Sequence, residues 1–511
     1  MARYIIPSVA LPALYSAYRS YFYPNSPSAF GIRSLEDAIN SLNANENTLE
    51  ALRFLNQTPD VSYLSSLSPT ALGVMALRGS ELSKFVPVTK CEVDEDDLLF
   101  SKLLSKFNLG DDWNSALARL YRVSCPEEDL ACPEGWLARR PSQVVRLYQL
   151  LRILFIKTEV PFDSSVVGLE IVPFLYVVFT QFRDSNKQLS LLALKILSNV
   201  ALNAPLYAVS IFTSEWLHLL SNMVTRGKSL EERLLSHKIC QNALNTLGVV
   251  DYQLRSDIYE LFLPEKEPLV DLVLIHGLCG SVVYTWRQKD HSSNIVSDCW
   301  PKDWLHLDIP QPMRIIGIDY YSSLMQFTGI MESLQVRADR FKHQLEAAGI
   351  GKRPVIFICH SMGGLLAKRL LLDLPALAEK TVGILFIATP HRGSPIAAWG
   401  YSILHPTADV LFLLEENPLN KKLNEDFWKI SDKIPVIVSM AETKESDLIG
   451  TAKGIIVPTQ SAVYEKGAVY HIEEVHHNVC KPSERTSPSY GVVLNFLRDC
   501  IQEAKKIREG T

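Results

Sequence analysis

The sequence predicts a molecule in two parts: an all-α region, then an α/β unit built on a parallel sheet from about residue 269 to the end. Three observations predict this. After Pro268, short apolar runs alternate with helix-length amphipathic segments. Before it, apolar residues recur at helical spacing over long stretches. Between the two stands FLPEKEP, Phe262–Pro268, with two prolines and three charged residues, the composition of a domain boundary. The expected extents are 36–262 for the helical domain and 269–511 for the α/β domain.

In the first part, Leu35, Ala38, Ile39, Leu42, Leu49, Leu52 and Leu55 fall on helical faces. From Val144 the helical segments follow one another closely: RLYQLLRILFIK, LLALKILSNVALN, EWLHLLSNMV and ERLLSHKICQNALNTL. Leu191, Leu194, Ile196, Leu197, Val200 and Leu202 make a wide apolar stripe that one neighbouring helix cannot cover. Stacked helices of this kind suit an armadillo-like domain, with an irregular helical domain as the alternative. The acidic CEVDEDD run, Cys91–Asp97, and the Pro-containing stretch Cys125–Pro141 read as connections. Val166–Thr180 is apolar but short, and carries Glu170 and Pro173, so a buried core helix is expected rather than a membrane span. Residues 1–35 hold Arg3, Arg19 and Arg33 and no acid. They read as a targeting or membrane-contact segment, or as an ordinary N-terminus packed on the next helix.

The charge balance excludes one function class. Lys and Arg number 51 and Asp and Glu 56, a net charge of −5, so the basic excess of a nucleic-acid binder is absent. The nine cysteines are scattered without a CxxC pair, and histidines are not clustered at ligand spacing. The expectation is a reduced protein without a structural zinc site.

Chemistry concentrates in the second part. Expected strands are Val270–Ile275, Arg314–Ile318, Val355–Ile358, Val382–Ile387, Pro435–Met440 and Ala468–Ile472, with helices at Leu334–Ala348, Met362–Leu374 and Tyr490–Ile507. In PVIFICHSMGGLLAKRLLLDL, Pro354–Leu374, a buried strand runs straight into Ser361, then Gly363 and Gly364, then an apolar helix. This is a nucleophile elbow, and with it the unit reads as an α/β-hydrolase fold. The turn lifts a hydroxyl clear of the sheet, and the glycines let strand and helix approach. Cys359 stands where such elbows usually carry their first glycine.

The strand of DLVLIHGLCGSVVYTW ends at His276 and Gly277. The loop after that strand supplies one oxyanion-hole amide in this fold, so Leu278 and Met362 are the expected donors, with Gly277 as support and His276 structural. Acid and histidine follow the serine in chain order. In EEVHHNVCKP, His476 is the expected base and His477 its surface neighbour, because His476–Asn478 resembles the His-x-Asn of lipase-like hydrolases; His471 lies inside the preceding strand. The acid is Glu442, at the end of KIPVIVSMA, or Asp447 in the next loop. TPHRGS, Thr389–Ser394, is expected beside the elbow, leading into an apolar cap around Ala397–Trp428 that suits an acyl chain.

Together IHGLCGSVVYTWRQKD, CWPKDWL, ICHSMGGLLAKRLL, TPHRGS and HHNVCKP, with LSNVALN and SEWL upstream, resemble the serine-active-site-containing protein 1 family. The resemblance runs from about Leu191 to the end. It implies Ser361 as nucleophile and lipid work: phosphatidylglycerol remodelling, linked cholesterol handling, and a place at membranes where mitochondrion and endoplasmic reticulum meet. The resemblance implies a phospholipid substrate; the expected partners are a membrane surface or a protein docked on the helical domain, and not nucleic acid. No metal or organic cofactor is called for. Two rivals stand beside it: an esterase for GPI- or protein-linked acyl groups, and a helical-repeat scaffold with an idle hydrolase domain.

Overall fold

The computed structural model describes residues 32–59, 61–88, 143–159, 171–289, 297–322, 333–395, 407–447 and 453–509. The N-terminal stretch to residue 31, the CEVDEDD run, the 125–141 stretch, residues 166–170 and residues 397–406 of the expected cap lie outside them.

Among the described residues one sheet has seven strands: β1 (Ile258–Phe262), β2 (Val270–Ile275), β3 (Met313–Ile318), β4 (Val355–His360), β5 (Thr381–Ile387), β6 (Val436–Glu442) and β9 (Ala468–Ile472). Their order is β1-β3-β2-β4-β5-β6-β9. β1 is antiparallel to β3 and every other pairing is parallel. Two-residue strands β7 (Ser446–Asp447) and β8 (Lys453–Gly454) form a separate ribbon. Mostly parallel pairing with crossover helices is the architecture of an α/β-hydrolase.

β2, β4 and β5 are buried along their whole length, as their unbroken apolar runs require of strands covered on both faces. Alternation divides their side chains. Val273, Ile275, Phe357, Cys359, Ile384 and Phe386 enter a core shared with α10 (Leu334–Ala347), α11 (Met362–Asp373) and α12 (Pro418–Ser431). Leu272, Leu274, Ile356, Ile358, Leu385 and Ile387 enter a second core. That one is closed by α13 (Pro488–Glu509) and by the N-terminal helices. At the centre of the sheet Asp271 is fully buried and accepts from Arg314 Nε at 2.7 Å and Arg353 Nη1 at 2.8 Å.

The N-terminal helices are α1 (Leu35–Asn43), α2 (Thr48–Gln57), α3 (Pro69–Leu77), α4 (Gln143–Thr158), α5 (Ile171–Phe182), α6 (Lys187–Val200), α7 (Pro205–Thr213), α8 (Trp216–Arg226) and α9 (Leu230–Thr246). α6 packs on α4, α5 and α9, and α9 packs on β1. The buried Lys238 of α9 donates to the carbonyls of Arg255 and Ser256 at 2.7 and 2.8 Å.

The boundary expected at residue 262 is corrected. Ile258–Phe262 is a strand of the sheet, so the α/β unit begins before it. IYELF is short, Glu260 interrupts its apolar run, and the charged linker follows at once, so periodicity does not expose it. Among the described residues no helix is long and apolar enough to cross a membrane.

Candidate active site

Ser361 stands between β4 and α11 with φ 52° and ψ −127°, a conformation costly for a residue with a Cβ. Its amide donates to the Ile387 carbonyl at 2.8 Å, and its carbonyl accepts from the Gly364 amide at 3.0 Å. The crowding is against main chain at Gly363 and against side chains at Gly364 and Gly277. A methyl on Gly363 would lie against the carbonyl oxygens of Ile275 and His276. One on Gly364 would strike Thr389, and one on Gly277 would come within 2.7 Å of Ser361 Cβ. Cys359 turns its side chain to the opposite face of the sheet and is fully buried in the α11 core. Burial pushes its thiol well up from the usual range, so it stays a thiol.

His476 lies in the loop from β9 to α13 and is buried. Ser361 Oγ donates to His476 Nε2 at 3.1 Å, and His476 Nδ1 donates to Glu442 Oε2 at 2.5 Å. Glu442 is the last residue of β6 and is 1% exposed. Its Oε1 accepts from the amides of Ile456 and Val457, at 2.9 and 3.0 Å. The His476 amide donates to Ser446 Oγ at 3.4 Å, and its carbonyl accepts from His360 Nε2 at 3.0 Å.

Of the residues singled out in the sequence, the structure brings Ser361, His476 and Glu442 together. Asp447 lies at the surface in the small ribbon, 3.5 Å from Lys453. His477 and His471 are exposed. His276 is buried with both ring nitrogens engaged: Nδ1 donates to the Gly277 carbonyl at 2.8 Å, and Nε2 accepts from the Tyr320 amide at 3.1 Å. Tyr320 OH donates to the His276 carbonyl at 2.6 Å, and the two rings stack at 4.1 Å. Met362 opens α11, where an N–H has no intrahelical acceptor, and Leu278 is half-buried just past Gly277. The TPHRGS stretch lies along α11: Thr389 faces Gly364, and His391 Nδ1 accepts from the buried Lys368 Nζ at 2.7 Å. Among the described residues no group of three His, Cys, Asp or Glu side chains is placed to hold a metal.

Four contributors escaped the sequence reading. The amides of Ile456 and Val457 have no side-chain signature. Ser446 is one serine among many. His360 had a signal, since it shares strand parity with Ile356 and Ile358 and so points to the face on which the β9–α13 loop sits.

No protein-family model matches the chain. Among curated proteins it is similar to Protein SERAC1 of Bos taurus, 30% identical over 397 residues, 71% of this chain and 58% of the relative. Protein SERAC1 of Danio rerio is 30% identical over 364 residues, 65% of this chain and 54% of the relative. For Homo sapiens the figures are 30% over 336 residues, 60% and 50%. The chain thus spans a little over half the length of the curated relatives it matches. Among solved structures, Bacillus licheniformis lipase BlEst2 in mature form has 16% identity and a TM-score of 0.34, covering 46% of this chain and 94% of that one. Phospholipase PlaB from Legionella pneumophila has 12% identity and a TM-score of 0.36, covering 48% and 63%. These two likenesses are too slight to bear on function, whereas the three curated relatives are each 30% identical over 60% or more of this chain. Over the matched residues the chain is similar to the SERAC1 proteins.

Proposed function

We propose that this chain is a serine hydrolase or transacylase acting on glycerophospholipid esters. The observation that carries the reading is the unbroken relay from Ser361 Oγ through His476 to Glu442, with the second Glu442 oxygen held by two amides. Ser361 attacks the acyl carbonyl while His476 Nε2 takes its proton. Glu442 fixes the tautomer that leaves Nε2 free to accept, and faces the imidazolium that forms. The amides of Leu278 and Met362 take the oxyanion, the latter reinforced by the N-terminus of α11. His476 returns the proton to the leaving lysophospholipid alcohol. Water, or a second lysophospholipid hydroxyl, then releases the acyl group.

The phospholipid reading, with phosphatidylglycerol as the species and mitochondrion–endoplasmic reticulum contacts as the place, rests on the family resemblance. Against the idle-scaffold rival, Cys359 sits in the core while the turn at Ser361 closes, and Glu442 stands beside His476. The armadillo-like reading of the helices is supported by their spacing. Asn242 Nδ2 donates to the Ser198 carbonyl 44 residues back, and Thr246 Oγ1 to that of Ala201 45 residues back, near one repeat length.

The test is covalent labelling with a fluorophosphonate, followed by lipid profiling. Wild type should label and Ser361→Ala should not. Cells expressing wild type should then differ from Ser361→Ala cells in phosphatidylglycerol species. A folded wild-type protein that does not label removes the enzyme reading, and unchanged lipids beside normal labelling remove the substrate.

A further inference from the structure

We propose that His360, the residue before the nucleophile, is a positioning residue that locks the His476 loop onto the elbow; the inference rests on the hydrolase reading above. His360 ends β4, so its backbone is fixed by pairing with β5, where it stands opposite Ile387. Strand parity sends its ring to the face opposite Cys359, where the loop carrying His476 arrives. There Nε2 donates to the His476 carbonyl at 3.0 Å, and the two rings lie 4.9 Å apart at 44°.

That one contact settles three things. A carbonyl oxygen only accepts, so Nε2 of His360 carries a proton. The bond acts on the main chain of His476 itself, while the side chain of the same residue is held by Glu442 and Ser361. The imidazole of His476 is thereby fixed at both its root and its tip, and the root is fixed to the residue next to the nucleophile. A shift of the loop cannot move the base without breaking this bond. The oxyanion loop is within the same reach, since a methyl on Gly277 would come 3.2 Å from His360 Nδ1.

The charge state matters as much as the bond. Burial, with His476 and His477 nearby, holds the His360 imidazole well below the usual histidine range and therefore neutral. A lysine or arginine could supply the same N–H, but its charge would oppose the imidazolium that forms on His476 during attack. A neutral ring donates without that penalty.

The test uses the full chain, with two isosteric replacements and p-nitrophenyl butyrate as substrate. His360→Gln keeps a neutral N–H near the place of Nε2, whereas His360→Phe keeps the ring volume without a donor. The expected result for His360→Phe is a fall in kcat of about 10- to 100-fold with KM changed less than about twofold, because a misplaced base slows the chemical step. His360→Gln should recover most of the kcat. The inference is overturned if His360→Phe matches wild type, if Gln is no better than Phe, or if the loss lies in KM alone. A wild-type protein unreactive toward both the ester and a fluorophosphonate would instead overturn the hydrolase reading. Should His360→Phe fail to fold, the kcat of His360→Gln against that of His360→Lys decides: Lys should fall well below Gln, and equal rates reject a need for a neutral donor.

Discussion

Glu442 has both carboxylate oxygens occupied, one by His476 and the other by two backbone amides, and Asp447 has a surface lysine for company. Sequence order left the two open, because both follow the same strand. The difference is burial. Only a carboxylate shielded from water and held from behind orients an imidazole at no repeated cost in rotamer freedom. Glu442→Gln keeps the volume but removes the charge that faces the imidazolium. It should lower kcat by about 10²- to 10⁴-fold, while Asp447→Asn should leave ester hydrolysis within about twofold, as befits an exposed carboxylate. Steady-state kinetics on one ester compare them directly, and a larger loss for Asp447→Asn would reverse the assignment. Ser361 and His476 were legible because an elbow and a C-terminal histidine have sequence patterns. The two amides behind Glu442 were not, since any residue type supplies an N–H.

At the scale of elements, the junction of β2, β4 and α11 sets what the turn can tolerate. Gly363 sits where a methyl would meet main-chain oxygens of β2 and its loop, and neither oxygen can rotate away. Gly363→Ala should therefore cost about 1–3 kcal/mol through overpacking, read as a lowered Tm, and should also displace Ser361. Gly491 gives the contrast within one molecule. It lies inside α13, and an added Cβ would meet nothing within 4 Å. Gly491→Ala should be neutral or stabilising by up to about 1 kcal/mol. A Tm for Gly363→Ala equal to that of wild type would show that the elbow has slack. The elements themselves were readable to different degrees for a physical reason. β2, β4 and β5 are buried on both faces, so their sequences are continuous apolar runs. β9 is exposed along most of its length and lacks that continuous apolar run. β1 was missed, because Glu260 interrupts its short apolar run.

That glutamate belongs to the whole molecule, since it stands where the helical part meets the sheet. The two parts share one hydrophobic core, running from Ala38 in α1 to Ala504 in α13, so the boundary in the sequence is not a gap in the structure. Glu260 of β1 is buried, takes a hydrogen bond from Tyr252 OH at 2.6 Å and faces His237 of α9 at 3.6 Å. Burial raises the Glu260 carboxyl from 4.5 to about 7, with Arg314 opposing. Burial lowers His237 from 6.5 to about 4, so at neutral pH the contact is not an ion pair. The two shifts act on stability with opposite sign. For Glu260 the folded state binds the proton more tightly, so stability falls as pH rises from 4.5 through about 7. For His237 the unfolded state does, so stability falls as pH drops from 6.5 through about 4. Between 4.5 and 6.5 the two slopes cancel, and neither alone is visible in the wild type. Glu260→Gln separates them. Gln still accepts from Tyr252 but has no ionisation to suppress. Relative to wild type, its stability should be unchanged near pH 4.5, rise through neutrality and level off above pH 7, at a gain on the order of 3 kcal/mol. The same variant should lose stability more steeply than wild type below pH 6, where only the His237 contribution is left. Thermal unfolding of both proteins across pH 4.5 to 8.5 measures the difference. A gap independent of pH, or a loss at pH 8, would mean that Arg314 holds Glu260 ionised in the folded state, and that the junction is joined by charge rather than by two buried neutral groups.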